Sequence, residues 1–127
     1  MKRFHTRDGM GIELLQKAGV KVALMTGEAS PIVQKRAAKL SIADIYLGVK
    51  DKAAKLPEFL QQHGLTAEDV VYVGDDVNDV GIMELVGFPI AVADAVEEVK
   101  AVADYITERK GGEGAVREVA ELILMCR

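Results

Sequence analysis

The chain has 127 residues, 50% of them hydrophobic, and its 20 acidic and 16 basic side chains give a net charge of −4. That length predicts one domain over residues 1–127, and the scattered basic residues argue against a nucleic-acid partner. The single cysteine, Cys126, excludes an internal disulfide and fits a reducing compartment. With no apolar run long enough for a membrane span and no signal-peptide core, we expect a cytoplasmic protein.

Apolar periodicity predicts that helices and strands alternate along the chain. In chain order, the predicted elements are a helix at 11–18, a strand at 20–25, a helix from 30 to about 40, a strand at 45–47, a helix at 52–63, a strand at 70–73, a helix through 83, a strand at 88–92, a helix around 96–103 and a helix around 116–123. Ser30 and Pro31 are typical of a helix start, and Gly19 and Gly64 of helix ends. This alternation indicates an α/β fold with a parallel sheet covered by helices on both faces.

An acidic turn follows the strand at 70–73. Gly74 permits a tight exit from the strand, and the four polar residues after it are Asp75, Asp76, Asn78 and Asp79. Open α/β sheets bind ligands at the carboxyl ends of their strands, and carboxylate oxygens are suited to Mg²⁺. The alternative is a solvated turn that caps the next helix, because Asp and Asn are good N-cap residues.

Two further polar residues are predicted at the same edge of the sheet. Thr26 ends one strand, and Lys52 opens the helix after the next strand. A hydroxyl and the N–H of Gly27 can hydrogen-bond phosphate oxygens, and an ammonium can neutralise them. Each residue alone is more typical of a turn or of a solvated helix start, but their order along the chain predicts a phosphate site.

Five segments spread over the chain carry a resemblance to a known group of enzymes. They are Phe4-His5-Thr6-Arg7-Asp8-Gly9-x-Gly11, Thr26-Gly27-Glu28, Arg36-Ala37-x-x-Leu40, Gly48-x-x-Asp51-Lys52 and Gly111-Gly112-x-Gly114-Ala115-x-Arg117-Glu118. Together with the acidic turn, they resemble the haloacid dehalogenase superfamily phosphatases, in particular the capless group that includes the 3-deoxy-D-manno-octulosonate 8-phosphate phosphatases. The same group contains phosphatases of nine-carbon, sialic-type keto-acid phosphates. The resemblance implies a Rossmannoid three-layer sandwich with a mostly parallel sheet and no cap domain.

The resemblance also implies an activity. Members of the group are Mg²⁺-dependent phosphatases that hydrolyse the phosphate monoester of an eight- or nine-carbon 2-keto-3-deoxy sugar acid through an aspartyl-phosphate intermediate. Such enzymes serve lipopolysaccharide or sialic acid biosynthesis. By this resemblance Thr26 and Lys52 are catalytic residues and Asp75 is the metal ligand. Asn78 and Asp79 orient Asp75, hold metal-bound water or anchor Lys52.

Substrate selection is expected to fall on residues outside the phosphate site. The candidates are Glu28, Arg36 and Lys39, of which Arg36 and Lys39 share a helix face and can meet a carboxylate. Gly27 is a fourth substrate-binding residue, through the phosphate group. The alternative for this pair is an exposed helix face with a local ion pair. The acid at position 28 favours the nine-carbon branch, because the octulosonate branch often has a basic residue there. The resemblance further implies a homo-oligomer, a tetramer in the family.

The chain departs from the group at one point. Members carry an Asp-x-Asp-x-(Thr/Val) motif at the end of a central first strand, with the nucleophile and the general acid/base, and no such motif occurs in these 127 residues. The hairpin that follows the motif in the family, and serves tetramer assembly, is missing as well. We therefore expect an N-terminally truncated domain without its first strand, and expect the chain as given to be inactive or nearly so.

Two other functions share parts of this pattern. A non-catalytic regulatory or oligomerisation domain of a CMP-N-acylneuraminate synthetase has the same motifs and needs no turnover. A receiver-like signalling domain is also α/β, with acidic strand ends, a Thr and a Lys. Receivers place their acidic pair ahead of the Thr and Lys, whereas here the acidic turn follows both residues, which argues against a receiver.

Overall fold

The structure, a computed structural model, describes residues 6–27, 29–111 and 113–126. Its helices and strands are α1 (Thr6–Lys17), β1 (Ala23–Met25), α2 (Pro31–Lys39), β2 (Asp44–Tyr46), α3 (Lys52–His63), β3 (Val71–Gly74), α4 (Val80–Met83), β4 (Phe88–Ala91), α5 (Glu97–Val102), β5 (Tyr105–Ile106) and α6 (Ala115–Met125). Two short 3-10 turns lie at Ala67–Asp69 and Val77–Asp79. The chain divides into two compact units, residues 1–50 with 112–127 and residues 51–111.

The described residues of the first unit form a parallel pair of strands and three helices. β1 and β2 are paired in register, with Leu24 opposite Ile45. Its core is built around the buried side chains of Ile12, Ala37 and Ile42. Helices α1 and α6 pack closely, since a Cβ on Gly11 would lie 2.8 Å from the Cα of Arg117. A larger residue at position 11 would therefore force the two helices apart.

The second unit contains a three-stranded parallel sheet in the order β3-β4-β5. Val73 lies opposite Ile90, and Ile90 lies opposite Tyr105, so the strands run side by side to a common carboxyl edge. The largest fully buried apolar side chains of this unit are Ile82, Met83, Ile90 and Val99, which come from α4, β4 and α5. This packing fixes the end of β3, from which the acidic turn departs.

The predicted α/β alternation and parallel pairing are confirmed. The predicted start of α1 was wrong, because the helix begins at Thr6 and runs through Gly9 and Gly11; packing against α6 outweighs the poor helix propensity of glycine. Periodicity missed both 3-10 turns and β5, which has two residues and is too short to show a period. No helix among the described residues is both long and apolar enough to cross a bilayer. The single-domain organisation stays a prediction.

Candidate active site

The acidic turn closes around the carboxylate of Asp79. β3 ends at Gly74, where an added Cβ would lie 2.5 Å from the sulfur of Met83 and 2.9 Å from the Cβ of Asp79. Asp79 Oδ2 accepts hydrogen bonds from the backbone N–H groups of Asp75, at 2.9 Å, and Asp76, at 3.1 Å. Asp76 Oδ1 in turn accepts from the N–H of Val77 at 2.7 Å. Asp79 therefore holds the backbone of the turn in place, a role that needs its short side chain to be ionised and buried.

Lys52 reaches the same carboxylate from the start of α3. The N-cap of that helix is Asp51, whose Oδ1 accepts from the N–H of Ala54 at 3.3 Å. Lys52 Nζ donates to Asp79 Oδ1 at 2.7 Å, and the two side chains are only 4% and 2% exposed. Because both partners lie away from water, removing either one would leave the other charge buried without a partner of opposite sign. Of the roles predicted for Asp79, this geometry supports two, which are anchoring Lys52 and holding the backbone of Asp75.

A tyrosine that the sequence pattern did not single out completes the group. The hydroxyl of Tyr72, in β3, donates to Asp79 Oδ1 at 2.6 Å, so this oxygen receives two short hydrogen bonds. The signal available in the sequence was a tyrosine two residues ahead of the glycine, since a partly buried tyrosine hydroxyl usually has a hydrogen-bond partner. Hydrophobic periodicity alone treats Tyr72 as an apolar residue and gives no information on the partner of its hydroxyl.

These hydrogen bonds set the protonation of both groups. Burial by itself raises the pKa of Asp79, but hydrogen bonds from Lys52, Tyr72 and the two backbone N–H groups outweigh it and hold that pKa well below its usual range. Burial, followed by the charge of Asp79 and the hydrogen bond to it, raises the pKa of Tyr72 well above its usual range. Asp79 is thus an anion and Tyr72 a neutral donor throughout the physiological pH range.

The low pKa of Asp79 predicts how stability depends on pH. The pKa is lower in the folded chain than in the unfolded chain, where it is about 4, so ionised Asp79 stabilises the fold. This contribution is fully present above the unfolded pKa and is lost as the pH falls through about 4 toward the folded value. We expect the free energy of unfolding, measured by urea denaturation between pH 6 and pH 2 (a range of about 4 units), to fall more steeply for wild type than for Asp79→Asn. Parallel curves for the two proteins would contradict this prediction.

Asp75 is the residue of the turn best placed for a metal ion. Its N–H donates to Asp79 Oδ2, and its carbonyl accepts from the N–H of Val96 at 3.1 Å, while its side chain is exposed at the carboxyl end of β3. Both oxygens of Asp79 are already engaged, which leaves Asp79 as support and not as a direct ligand. The described residues contain no cluster of three or more His, Cys, Asp or Glu side chains that could enclose a metal. One or two carboxylates, completed by water and substrate phosphate, fit the way proteins bind Mg²⁺.

The remaining predicted site residues belong to the first unit, except Asn78, which belongs to the second. The side chain of Thr26 is 1% exposed, its N–H donates to the carbonyl of Tyr46 and its carbonyl accepts from Val49, each at 3.0 Å. Arg36 and Lys39 are exposed in the last turn of α2. Gly27 and Asn78 are also exposed, and Glu28 lies outside the described residues. The structure therefore brings together Lys52, Asp79 and the backbone of Asp75, while the predicted meeting of Thr26 with Lys52 stays a prediction.

Comparison with known proteins gives the family. Residues 37–119 match the profile of the haloacid dehalogenase-like hydrolases. The chain belongs to this family. The 3-deoxy-D-manno-octulosonate 8-phosphate phosphatase of Haemophilus influenzae is 39% identical to this hydrolase over 127 residues, which are 100% of this chain and 71% of that protein. The enzyme of the same name from Escherichia coli K12 is 40% identical, with 100% of this chain and 68% of that protein covered.

Solved structures agree with these relatives. The Moraxella catarrhalis 3-deoxy-D-manno-octulosonate 8-phosphate phosphatase, in complex with a magnesium ion, a phosphate ion and KDO, matches this hydrolase with a TM-score of 0.96 at 39% identity. The match covers 100% of this chain and 73% of that chain. The Yersinia pestis phosphatase of the same name matches with a TM-score of 0.95 at 42% identity, over 98% of this chain and 68% of that chain. The predicted family, fold and enzyme class, a phosphoric monoester hydrolase, are confirmed, and the predicted metal is the one in the Moraxella complex.

Proposed function

We propose that this chain carries the phosphate and magnesium site of an enzyme that hydrolyses 3-deoxy-D-manno-octulosonate 8-phosphate to the free sugar acid and inorganic phosphate. The observation that carries the proposal is the buried ion pair between Lys52 and Asp79, 2.7 Å long, at the base of the acidic turn. Burying an ammonium has a desolvation penalty, which lowers the stability of the fold. Binding a phosphoryl group is a function that requires such a buried positive charge.

Each residue has a stated role in this reaction. Lys52 neutralises the oxygens of the transferring phosphoryl group and reduces their repulsion by the carboxylates. Asp79 holds Lys52 and the backbone of the turn, so that Asp75 is presented to Mg²⁺. When bound, Mg²⁺ supplies positive charge that stabilises the phosphoryl oxygens. Thr26 and Gly27 donate hydrogen bonds to the same oxygens, a role that rests on the sequence resemblance alone.

The reaction also needs a nucleophile. The 127 residues contain no Asp-x-Asp-x-(Thr/Val), the motif that supplies the attacking carboxylate in the family that the chain resembles. In the family the first Asp of that motif bonds to phosphorus as the bond to the sugar oxygen breaks, and the second Asp, as general acid, protonates the sugar oxygen. Water then attacks the phosphorus of the aspartyl phosphate, gives a proton back to the second Asp and releases inorganic phosphate and the free carboxylate. The residues described here position and neutralise the phosphoryl group in both steps.

The eight-carbon substrate is favoured by the relatives, which are octulosonate phosphatases at about 40% identity. The acid at position 28 favours a nine-carbon, sialic-type substrate, and we keep that substrate as the second candidate. In both cases Arg36 and Lys39 meet the carboxylate of the sugar acid and Glu28 its hydroxyls. No observation on the described residues favours the synthetase-domain alternative. The proposal includes a homo-oligomer, tetrameric by resemblance, in the cytoplasm, with no nucleic-acid or membrane partner.

Substrate selection gives a test of the proposal. The enzyme is a version of the chain preceded by a strand that ends in Asp-x-Asp-x-Thr, and kcat/KM is measured for the eight- and nine-carbon phosphates and for p-nitrophenyl phosphate. We expect the eight-carbon substrate to be preferred, and Arg36→Ala to lower kcat/KM for the sugar acid phosphate by about 10- to 100-fold, because a charged contact to the substrate carboxylate is lost. The aryl phosphate, which has no carboxylate, should change little.

An exposed residue on the other side of the same helix provides the control for this experiment. Gln34 is also exposed on α2 but points about 160° away from Arg36 and about 140° away from Lys39, so Gln34→Ala should leave both substrates unaffected. Equal losses on the sugar acid and aryl phosphates after Arg36→Ala would mean that Arg36 supports the fold. A preference for the nine-carbon substrate would assign the enzyme to the sialic-type phosphatases instead of the octulosonate phosphatases. Glu28→Arg should then shift the preference toward the eight-carbon substrate.

A further inference from the structure

Tyr72 contacts the Lys52–Asp79 pair through Asp79 and has no role in the proposed reaction so far. Its hydroxyl and Lys52 Nζ donate to the same oxygen of Asp79, at 2.6 and 2.7 Å, from β3 and α3 respectively. The other oxygen of Asp79 receives two backbone N–H groups of the acidic turn. Four donors from three segments of the chain therefore converge on one carboxylate that is 2% exposed.

We propose that Tyr72 is a positioning residue of the phosphate site, which fixes the Asp79 carboxylate and, through it, the Lys52 ammonium and the backbone of the turn at Asp75. The proposal rests on the proposed function, because it gives Tyr72 a part in presenting Lys52 to a phosphoryl group. It assigns no contact between Tyr72 and substrate.

The position of Asp79 Oδ1 depends on which of its two side-chain donors is the more rigid. The terminal torsion of an aspartate is broad, so the carboxylate turns until its hydrogen bonds fix it. Lys52 restricts the orientation of the carboxylate only weakly, because its ammonium is carried on a flexible four-carbon chain and can follow the oxygen as it moves. Tyr72 has a rigid ring on a paired strand, so its hydroxyl has a defined position. Tyr72 thus fixes the position of Asp79 Oδ1, and the hydrogen bond to Oδ1 then positions the Lys52 ammonium.

A structural role alone would have a different consequence. If Tyr72 only satisfies a buried carboxylate, removing its hydroxyl lowers global stability and leaves the local order of Lys52 and the turn unchanged. If Tyr72 positions them, Tyr72→Phe releases Asp79 and loosens both groups while the rest of the chain stays as it was. Tyr105→Phe is the matched control, because it removes a hydroxyl from β5, the other edge strand of the same sheet.

The test uses the 127-residue chain and nuclear magnetic resonance. The signals observed are the Lys52 Nζ ammonium and the backbone amides of Asp75 and Asp76, first without ligand and then during titration with inorganic phosphate in the presence of Mg²⁺. In Tyr72→Phe we expect amide exchange at these two residues to accelerate by about tenfold, the low end of the range for losing one hydrogen bond to a charged group. We also expect a broadened Lys52 signal and about tenfold weaker phosphate binding, with no change in Tyr105→Phe.

The two proposals fail in different ways. Exchange rates and a Lys52 signal that are the same in Tyr72→Phe as in wild type would overturn the role of Tyr72. Phosphate that leaves the Lys52 signal of the wild-type chain unmoved would instead overturn the proposed function. If Tyr72→Phe does not fold, 3,5-difluorotyrosine at position 72 keeps the shape and changes only the donor. Shifts at Lys52 and at the amides of Asp75 and Asp76 then support the role, and shifts confined to the tyrosine itself overturn it.

Discussion

Lys52→Ala is expected to lower the free energy of unfolding of this chain by about 3 kcal/mol. Removing one partner of a buried ion pair leaves the other charge without compensation, which typically costs about 3–5 kcal/mol. The lower end applies here because Asp79 keeps hydrogen bonds from Tyr72 and from the backbone of Asp75 and Asp76. Urea denaturation followed by circular dichroism measures the loss.

The control lies one helical turn away. Lys55 pairs with Glu58 at 3.8 Å, and the two side chains are 46% and 58% exposed. An exposed pair of this kind contributes about 0–1 kcal/mol, so Lys55→Ala should be nearly neutral. A loss for Lys52→Ala as small as that for Lys55→Ala would mean that the ion pair with Asp79 is not formed in solution.

The chain as given is expected to show no enzyme-like hydrolysis of phosphate monoesters. Its residues position and neutralise a phosphoryl group, but none of them supplies the Asp-x-Asp nucleophile of the family. Removing a catalytic nucleophile from a hydrolase lowers kcat by about 10⁶-fold, which would leave the rate at the background of a phosphate-release assay. The assay uses 3-deoxy-D-manno-octulosonate 8-phosphate with Mg²⁺ in excess.

A specific positive result would contradict this expectation. Saturable, Mg²⁺-dependent turnover by the purified chain, abolished by Lys52→Ala and retained by Lys55→Ala, would show that another group on these residues attacks phosphorus. Turnover that survives Lys52→Ala would point to a contaminating phosphatase and leave the expectation standing.

Local signals in the sequence located several helix ends. Ser30 accepts a hydrogen bond from the N–H of Ile32 at 3.2 Å, and Pro31 is the first residue of α2, as their types predict. Gly64 ends α3 in the left-handed conformation, with φ of 64°. These features depend on a few adjacent residues, so the sequence alone is enough to predict them. The start of α1 depends on its packing against α6, which is distant in the sequence, and was placed wrongly.

The candidate site likewise has one feature that the sequence predicted and others that it did not. The order of residue types indicated a role for Lys52 near the acidic turn, and the structure joins Lys52 to Asp79 across 27 residues. Two properties of that site were beyond sequence reasoning. A lysine at a helix start is normally solvated, so nothing in the pattern predicted that Lys52 would be 4% exposed. Tyr72 counted as one apolar residue of a strand, because periodicity does not reveal where a hydroxyl finds its acceptor.

The central claim is that the acidic turn, presented by Asp79 beside Lys52, is a magnesium-dependent phosphate site. The most direct measurement is the rate of phosphate release from 3-deoxy-D-manno-octulosonate 8-phosphate, with and without Mg²⁺, by the chain preceded by a strand that ends in Asp-x-Asp-x-Thr. We predict activity that requires Mg²⁺, falls by at least about 100-fold in Asp75→Asn, as for loss of a metal ligand, and is unchanged in Asp104→Asn, where an exposed carboxylate lies at the amino end of β5. Activity that is independent of Mg²⁺, or that is equal in Asp75→Asn and wild type, would contradict the claim.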